Sequence, residues 1–326
     1  MLTNLIYTIS EYCFQYIVIF LLFLGFSFSF ASGQTDSLNV LPDKKPGKDE
    51  RSFGFHNLAD RIDSFFSDQR IEEELQTSSL RIKPGLEWRE GARFKYPLPV
   101  RINLVLPRLQ NRWQILFANL PDADNDQDPD NADYTENQPV LEDQKTASSF
   151  LGLQFAPVTQ FYEHLKFFGG VKIRIDKLNP FGMVRFRYGH PLGEWNLRFV
   201  QSAFWFKDTG IGEISQLDVG RPINDETLFR SRSAVIWSEL SAGVDLKQTF
   251  YLRHFLTEDI VTGIYWRIGG HTSPHTILDG HTVAIEFRSK LWVNWLYFQF
   301  SPQVQYLRRD NFRALPVFFS DIEFIL

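Results

Sequence analysis

From Leu80 to Leu326, apolar and polar side chains take turns with a period of two. In a β-strand successive side chains point to opposite faces, so this pattern predicts strands with one apolar and one polar side. "RFKYPLPVRINLVL" sets Phe94, Tyr96, Leu98, Val100, Ile102 and Leu104 against Arg93, Lys95, Arg101 and Asn103. "HLKFFGGVKIR", "MVRFRY", "VAIEFRSKL" and "LYFQFSPQVQY" repeat the pattern, as does the terminal "FSDIEFIL". Weaker runs start near Trp113, Ser149, Trp195, Ser215, Leu228, Val244 and Ile260. The expected fold is all-β, an antiparallel barrel of about fourteen strands, or twelve if weak runs merge. Short turns are expected at Glu90-Gly91, Pro107 to Asn111, Gly189 to Gly193 and Pro222 to Glu226. Pro97 and Pro99 predict a strand end or a bulge above the membrane, because proline gives up a ladder bond.

Alternation also suits a soluble sandwich. Three features favour a membrane barrel, one of them the joint occurrence of an apolar leader and a strand patterned to Leu326. The polar register is heavily charged while the apolar register is bulky and aromatic. Trp88, Tyr96, Trp113, Tyr188, Trp195, Trp237, Trp266, Trp292, Trp295 and Tyr306 fall near predicted strand ends, where amphipathic rings suit the headgroup zone. A bundle of membrane helices is excluded, since it needs repeated apolar runs of about twenty residues. A net charge of −5 gives no sign of nucleic-acid binding.

The one long apolar run, Tyr16 to Gly33, reads as the core of a signal peptide over residues 1–31, with Ser29 and Ala31 before the cleavage point; a membrane anchor is the other reading. The only cysteine, Cys13, lies in that leader, so disulfides and thiolate sites are not expected in the mature chain. Residues 32–55 read as a flexible linker, 56–76 as an acidic amphipathic helix and 77–326 as the barrel. In the helix, Leu58, Ile62, Phe65, Phe66 and Leu75 form the apolar side, opposite Asp60, Asp63, Asp68 and Glu72 to Glu74. It is expected at the periplasmic mouth or partly inside the lumen, against small inward residues such as Gly85, Gly170 or Ala156. Lying on the membrane outside the barrel is the alternative.

The inward register is basic. It is predicted to include Arg81, Lys83, Arg93, Lys95, Arg101, Lys166, Lys172, Arg174, Arg185, Arg187, Arg198, Arg230, Arg232, Lys247, Arg253, Arg267, Arg288 and Lys290, against Glu87, Asp245, Glu286, Asp321 and Glu323. Two readings fit: an anion-favouring aqueous pore, or a narrow barrel whose charges pair internally. In "PDADNDQDPDN", Asp122, Asp124, Asp126, Asp128 and Asp130 alternate, which suits a calcium ion or a solvated loop. No other cofactor is implied. His271 and Ser273 are spaced like a base and nucleophile on one strand face, with Asp279 or Glu286 as orienting acids. Pro274 and Gly280 point instead to a loop.

The tail "WVNWLYFQFSPQVQYLRRDNFRALPVFFSDIEFIL" and the strands before it resemble Gram-negative outer-membrane β-barrel proteins, in particular a group of uncharacterised proteobacterial barrels. The resemblance implies an outer-membrane location, contact with outer-membrane lipid and insertion by the barrel-assembly machinery. Phe318, Ile322, Phe324 and Leu326 would form the insertion signal, although such proteins commonly end in Phe or Trp. The expected role is a passive, porin-like channel or a structural envelope protein, not an enzyme. The alternatives are a lipid hydrolase using His271 and Ser273, since outer-membrane lipid hydrolases carry a similar His-x-Ser pair, and an assembly partner docking through the acidic loop or helix.

Overall fold

The computed structural model describes Leu58, Arg61, Ile62, Phe65 and residues 78–106, 112–120, 148–157, 165–174 and 177–326. The leader, the linker, most of the 56–76 segment and the acidic loop lie outside the described residues. The strands are β1 (Ser79–Ile82), β2 (Gly85–Arg89), β3 (Val100–Val105), β4 (Trp113–Leu120), β5 (Ser148–Phe155), β6 (Leu165–Ile173), β7 (Leu178–Leu192) and β8 (Trp195–Phe206). They continue as β9 (Gly210–Pro222), β10 (Thr227–Ser238), β11 (Val244–Thr257), β12 (Ile260–His271), β13 (Ile277–Lys290), β14 (Leu296–Leu307) and β15 (Ala314–Ile325).

Each strand from β3 onward pairs antiparallel with its sequence neighbour, and β15 returns to pair with both β1 and β2. Ile82 faces Phe324 and Gly85 faces Asp321, so β1 and β2 are one strand in one register. Pro84, which has no N–H to give the ladder, interrupts it, while its carbonyl still accepts from Ile322 N at 3.1 Å. The barrel therefore closes with fourteen strands. An even number puts both ends of the sheet at one rim, and the longest connection, 121–147, joins strands at the opposite rim.

Closure answers why the final strand is patterned to its end. Phe318, Ile322, Phe324 and Leu326 alternate with Asp321 and Glu323. The apolar set faces outward, with Phe318 against Phe300 and Phe324 against Trp295, at ring separations of 4.6 and 6.1 Å. The acids face inward to bases on the neighbouring strands. Lys83 Nζ lies 3.6 Å from Asp321, and Glu323 lies 3.7 Å from Arg81 and in contact with Arg288.

Two expectations are corrected. Gly189–Leu192 are strand rather than turn: β7 runs to Leu192, and the chain reverses at Gly193, whose φ of 61° needs glycine. Trp266 is mid-strand, tilted on Phe250 at 5.9 Å, not at a rim. The other aromatics do mark two rims. Trp113, Tyr188, Trp195 and Trp295 lie toward the rim with the chain ends, and Trp88, Trp205, Trp237 and Tyr306 toward the far one.

The inner wall is not uniformly polar. Toward the far rim, Phe150, Phe168, Met183, Phe204, Phe206, Ile214 and Ile236 form a buried cluster, joined by Leu116 and Phe181. Their rings lie across glycines of adjacent strands. A Cβ on Gly212 would fall 2.2 Å from Phe204 Cζ, and one on Gly170 would fall 3.0 Å from Phe181 Cε1. The outer wall has the converse exception. Ser215 donates to Gln201 at 2.5 Å, and Gln248 bonds Ser231 at 2.8 Å and also Ser233. These lipid-side polar groups satisfy one another, which their position requires.

Candidate functional site

A soluble barrel buries apolar side chains and shows polar ones. Here the order is reversed. Arg185, Arg288, Glu286 and Gln305 point inward and are 1%, 0%, 0% and 1% exposed, whereas outward Leu151, Leu153, Phe186, Trp205, Ile264 and Ile285 are each more than 40% exposed. Such a predominantly apolar exterior, bounded by two aromatic rims, needs hydrocarbon around it. The chain is an outer-membrane-type β-barrel.

No family model and no curated protein matches the sequence. Among solved structures the chain is similar to OccK2 (OpdF) of Pseudomonas aeruginosa in complex with glucuronate, at 8% identity and TM-score 0.45, covering 76% of this chain and 97% of that one. It is also similar to OpdK of Pseudomonas aeruginosa, at 6% identity and TM-score 0.45, covering 76% and 98%. A third is a KdgM porin in complex with disordered oligogalacturonate, at 9% identity and TM-score 0.37, covering 75% and 98%.

The lumen houses its cations in two ways. Between β8, β9 and β10 they meet acid: Asp218 accepts from Arg198 Nη1 at 3.1 Å, from Arg232 Nε at 2.8 Å and from Gln216 Nε2 at 3.1 Å. Farther round, Arg253 donates twice to Glu286, at 3.0 and 3.3 Å, and Arg288 joins Gln299 at 2.9 Å and Glu323. On β6 and β7 the partners include aromatic faces. Lys172 Nζ is 5.4 Å from the Phe150 ring centre, and Arg185 Cζ is 4.7 Å from that of Phe168. A ring face attracts a cation without cancelling its charge. The inward positions of β5, β6 and β7 carry Lys166, Lys172, Arg185 and Arg187 and no acid of their own.

Most of the predicted inner residues fall on the inner register: Arg81, Lys83, Lys95, Arg101, Lys166, Lys172, Arg185, Arg187, Arg198, Arg230, Arg232, Lys247, Arg253, Arg267, Arg288 and Lys290. Arg174 lies just past β6. Arg93 is corrected: it is exposed in the connection before β3, where the ladder has stopped at the turn after Arg89. Asp218 is not among the expected inward acids, although it joins Arg198 and Arg232. Its neighbours, Leu217 and Val219, face outward and signal only a strand.

His271 and Asp279 do meet. His271 Nδ1 is 2.8 Å from Asp279 Oδ2, toward the far rim. Ser273 lies in the following turn, 2.7 Å from where a Cβ on Gly243 would sit, and no hydrogen bond joins it to His271 among the described residues. Asp122 to Asp130 lie outside the described residues.

The far-rim turns are tied by Asp208, which takes Lys177 Nζ at 3.1 Å and the Asn179 side chain. Burial raises its pKa, but these hydrogen bonds and the positive charge of Lys177 and Arg174 outweigh that, and the carboxyl is held below 3.8. A lowered acid stabilises the fold above its unfolded pKa and loses that contribution as pH falls through the folded value. The unfolding temperature of the native chain should therefore fall more between pH 7 and pH 3 than that of Asp208→Asn. Parallel curves for the two proteins would show that the tie contributes nothing.

Proposed function

We propose that the chain is a narrow outer-membrane channel whose basic inner wall favours small anions. The observation that supports this most directly is the inner register itself, where bases outnumber acids although the whole chain is acidic. A confined positive wall concentrates anions and repels cations. The bore is constricted. Fourteen strands enclose more room than the eight that side chains can just fill, yet Lys172, Arg185, Asp218, Glu286, Arg288 and Gln303 are each under a tenth exposed. Such close packing of the inner side chains implies small single-channel currents and strong dependence on wall charge.

The test is charge reversal on the wall that carries no acid. Lys172→Glu with Arg185→Glu should shift the reversal potential in a KCl gradient toward that of a cation-preferring pore. Both proteins must first show the same heat-modifiable barrel. An unchanged reversal potential would overturn the assignment of selectivity to this wall.

A further inference from the structure

Near the rim with the chain ends, the inner wall carries a second apolar patch: Leu228, Phe255 and Val261, with Tyr297 beside them. All four belong to the inward register, as Leu228 pairs with Arg253 and Val261 with Arg288. Left open to water, such a patch would cost free energy. Three side chains from outside the barrel wall cover it. Leu58, Ile62 and Phe65 have helical backbone, are 4%, 0% and 8% exposed, and belong to the same buried cluster. Their spacing of four and three residues puts them on one helix face.

The fit is specific. Phe65 meets Phe255 and Tyr297 edge-on at 5.8 and 5.7 Å, and Arg61 Cζ lies 4.8 Å from the Phe255 ring centre. The Tyr297 ring also takes Arg288 Cζ at 4.7 Å, so it touches both the segment and the charged cluster. For the described side chains the expected seat on small residues such as Gly170 is corrected. Gly170 is covered by the Phe181 ring, and the seat is made of large apolar residues, which bury more area. A position on the membrane outside the barrel is likewise excluded for these three side chains.

We propose that Leu58, Ile62 and Phe65 form a stopper, seated inside the lumen on Leu228, Phe255, Val261 and Tyr297, that limits ion flow past Arg288. The role as a stopper rests on the channel reading; the seat itself does not. Two measurements separate them. In a Cys13→Ser background, Ile62→Cys in the folded barrel should react with a water-soluble maleimide at least tenfold more slowly than in the denatured chain. Val261→Asp, which puts a charge into the seat, should remove that protection. In planar bilayers, Ile62→Asp should raise the mean current several-fold over the native chain. Fast labelling of Ile62→Cys in the folded barrel would overturn the seat whatever the current. Protection combined with an unchanged, measurable current in Ile62→Asp would overturn the stopper and leave the channel standing. Protection with no current from either protein would overturn the channel reading and the stopper with it.

Discussion

Asp218→Ala should lower the unfolding free energy of the refolded barrel by about 3–5 kcal/mol, the usual cost of removing one partner from a buried ion cluster. Arg198 and Arg232 both donate to this carboxylate, which is 5% exposed. Without it, two guanidinium groups on β8 and β10, the strands flanking β9, are left without their shared acid in a confined lumen. The remedy should be as specific as the damage. Adding Arg232→Leu to Asp218→Ala should recover part of the loss, because one of the two buried cations is then gone. Denaturant unfolding in lipid vesicles reads both effects. A loss below about 1 kcal/mol, the range of exposed ion pairs, would mean that water already screens the cluster.

Deleting Phe318–Leu326 should have the other large effect, the loss of the inserted barrel altogether. That segment pairs on one side with β14 and on the other with β1 and β2. It also brings Asp321 and Glu323 to Lys83, Arg81 and Arg288. Truncation leaves two open edges in hydrocarbon, where each unsatisfied backbone group costs several kcal/mol. The truncated chain should show no heat-modifiable band and no protease-resistant core in membranes. A compact, resistant barrel would mean that β14 can close against the first strand unaided.

The sequence made the register legible wherever the two walls differ in polarity. Val184, Phe186 and Tyr188 against Arg185 and Arg187 leave no doubt about facing. The same holds for Phe318, Ile322 and Phe324 against Asp321 and Glu323. It was illegible where both walls share a character. Phe204 and Phe206 face inward while Trp205 faces out, so the alternation vanishes although the strand persists. Outward Ser231, Ser233 and Gln248 blur the pattern from the other side, and only their mutual hydrogen bonds, which join β10 to β11, explain them. The ion clusters follow the same logic. Basic positions could be read strand by strand, but which acid meets which base depends on cross-strand register. Asp218 reaches Arg198 and Arg232 because those residues are its direct partners on β8 and β10. The helical spacing of Leu58, Ile62 and Phe65 was visible, but the seat was not, since its four residues come from four strands.

The central claim is that the inner wall selects anions, and the reversal potential across a KCl gradient tests it most directly. Recorded in planar bilayers with the native chain and with Ile62→Asp, the current should reverse close to the chloride equilibrium potential in both. Reversal near the potassium equilibrium potential, or at zero as in a wide unselective pore, would contradict the account.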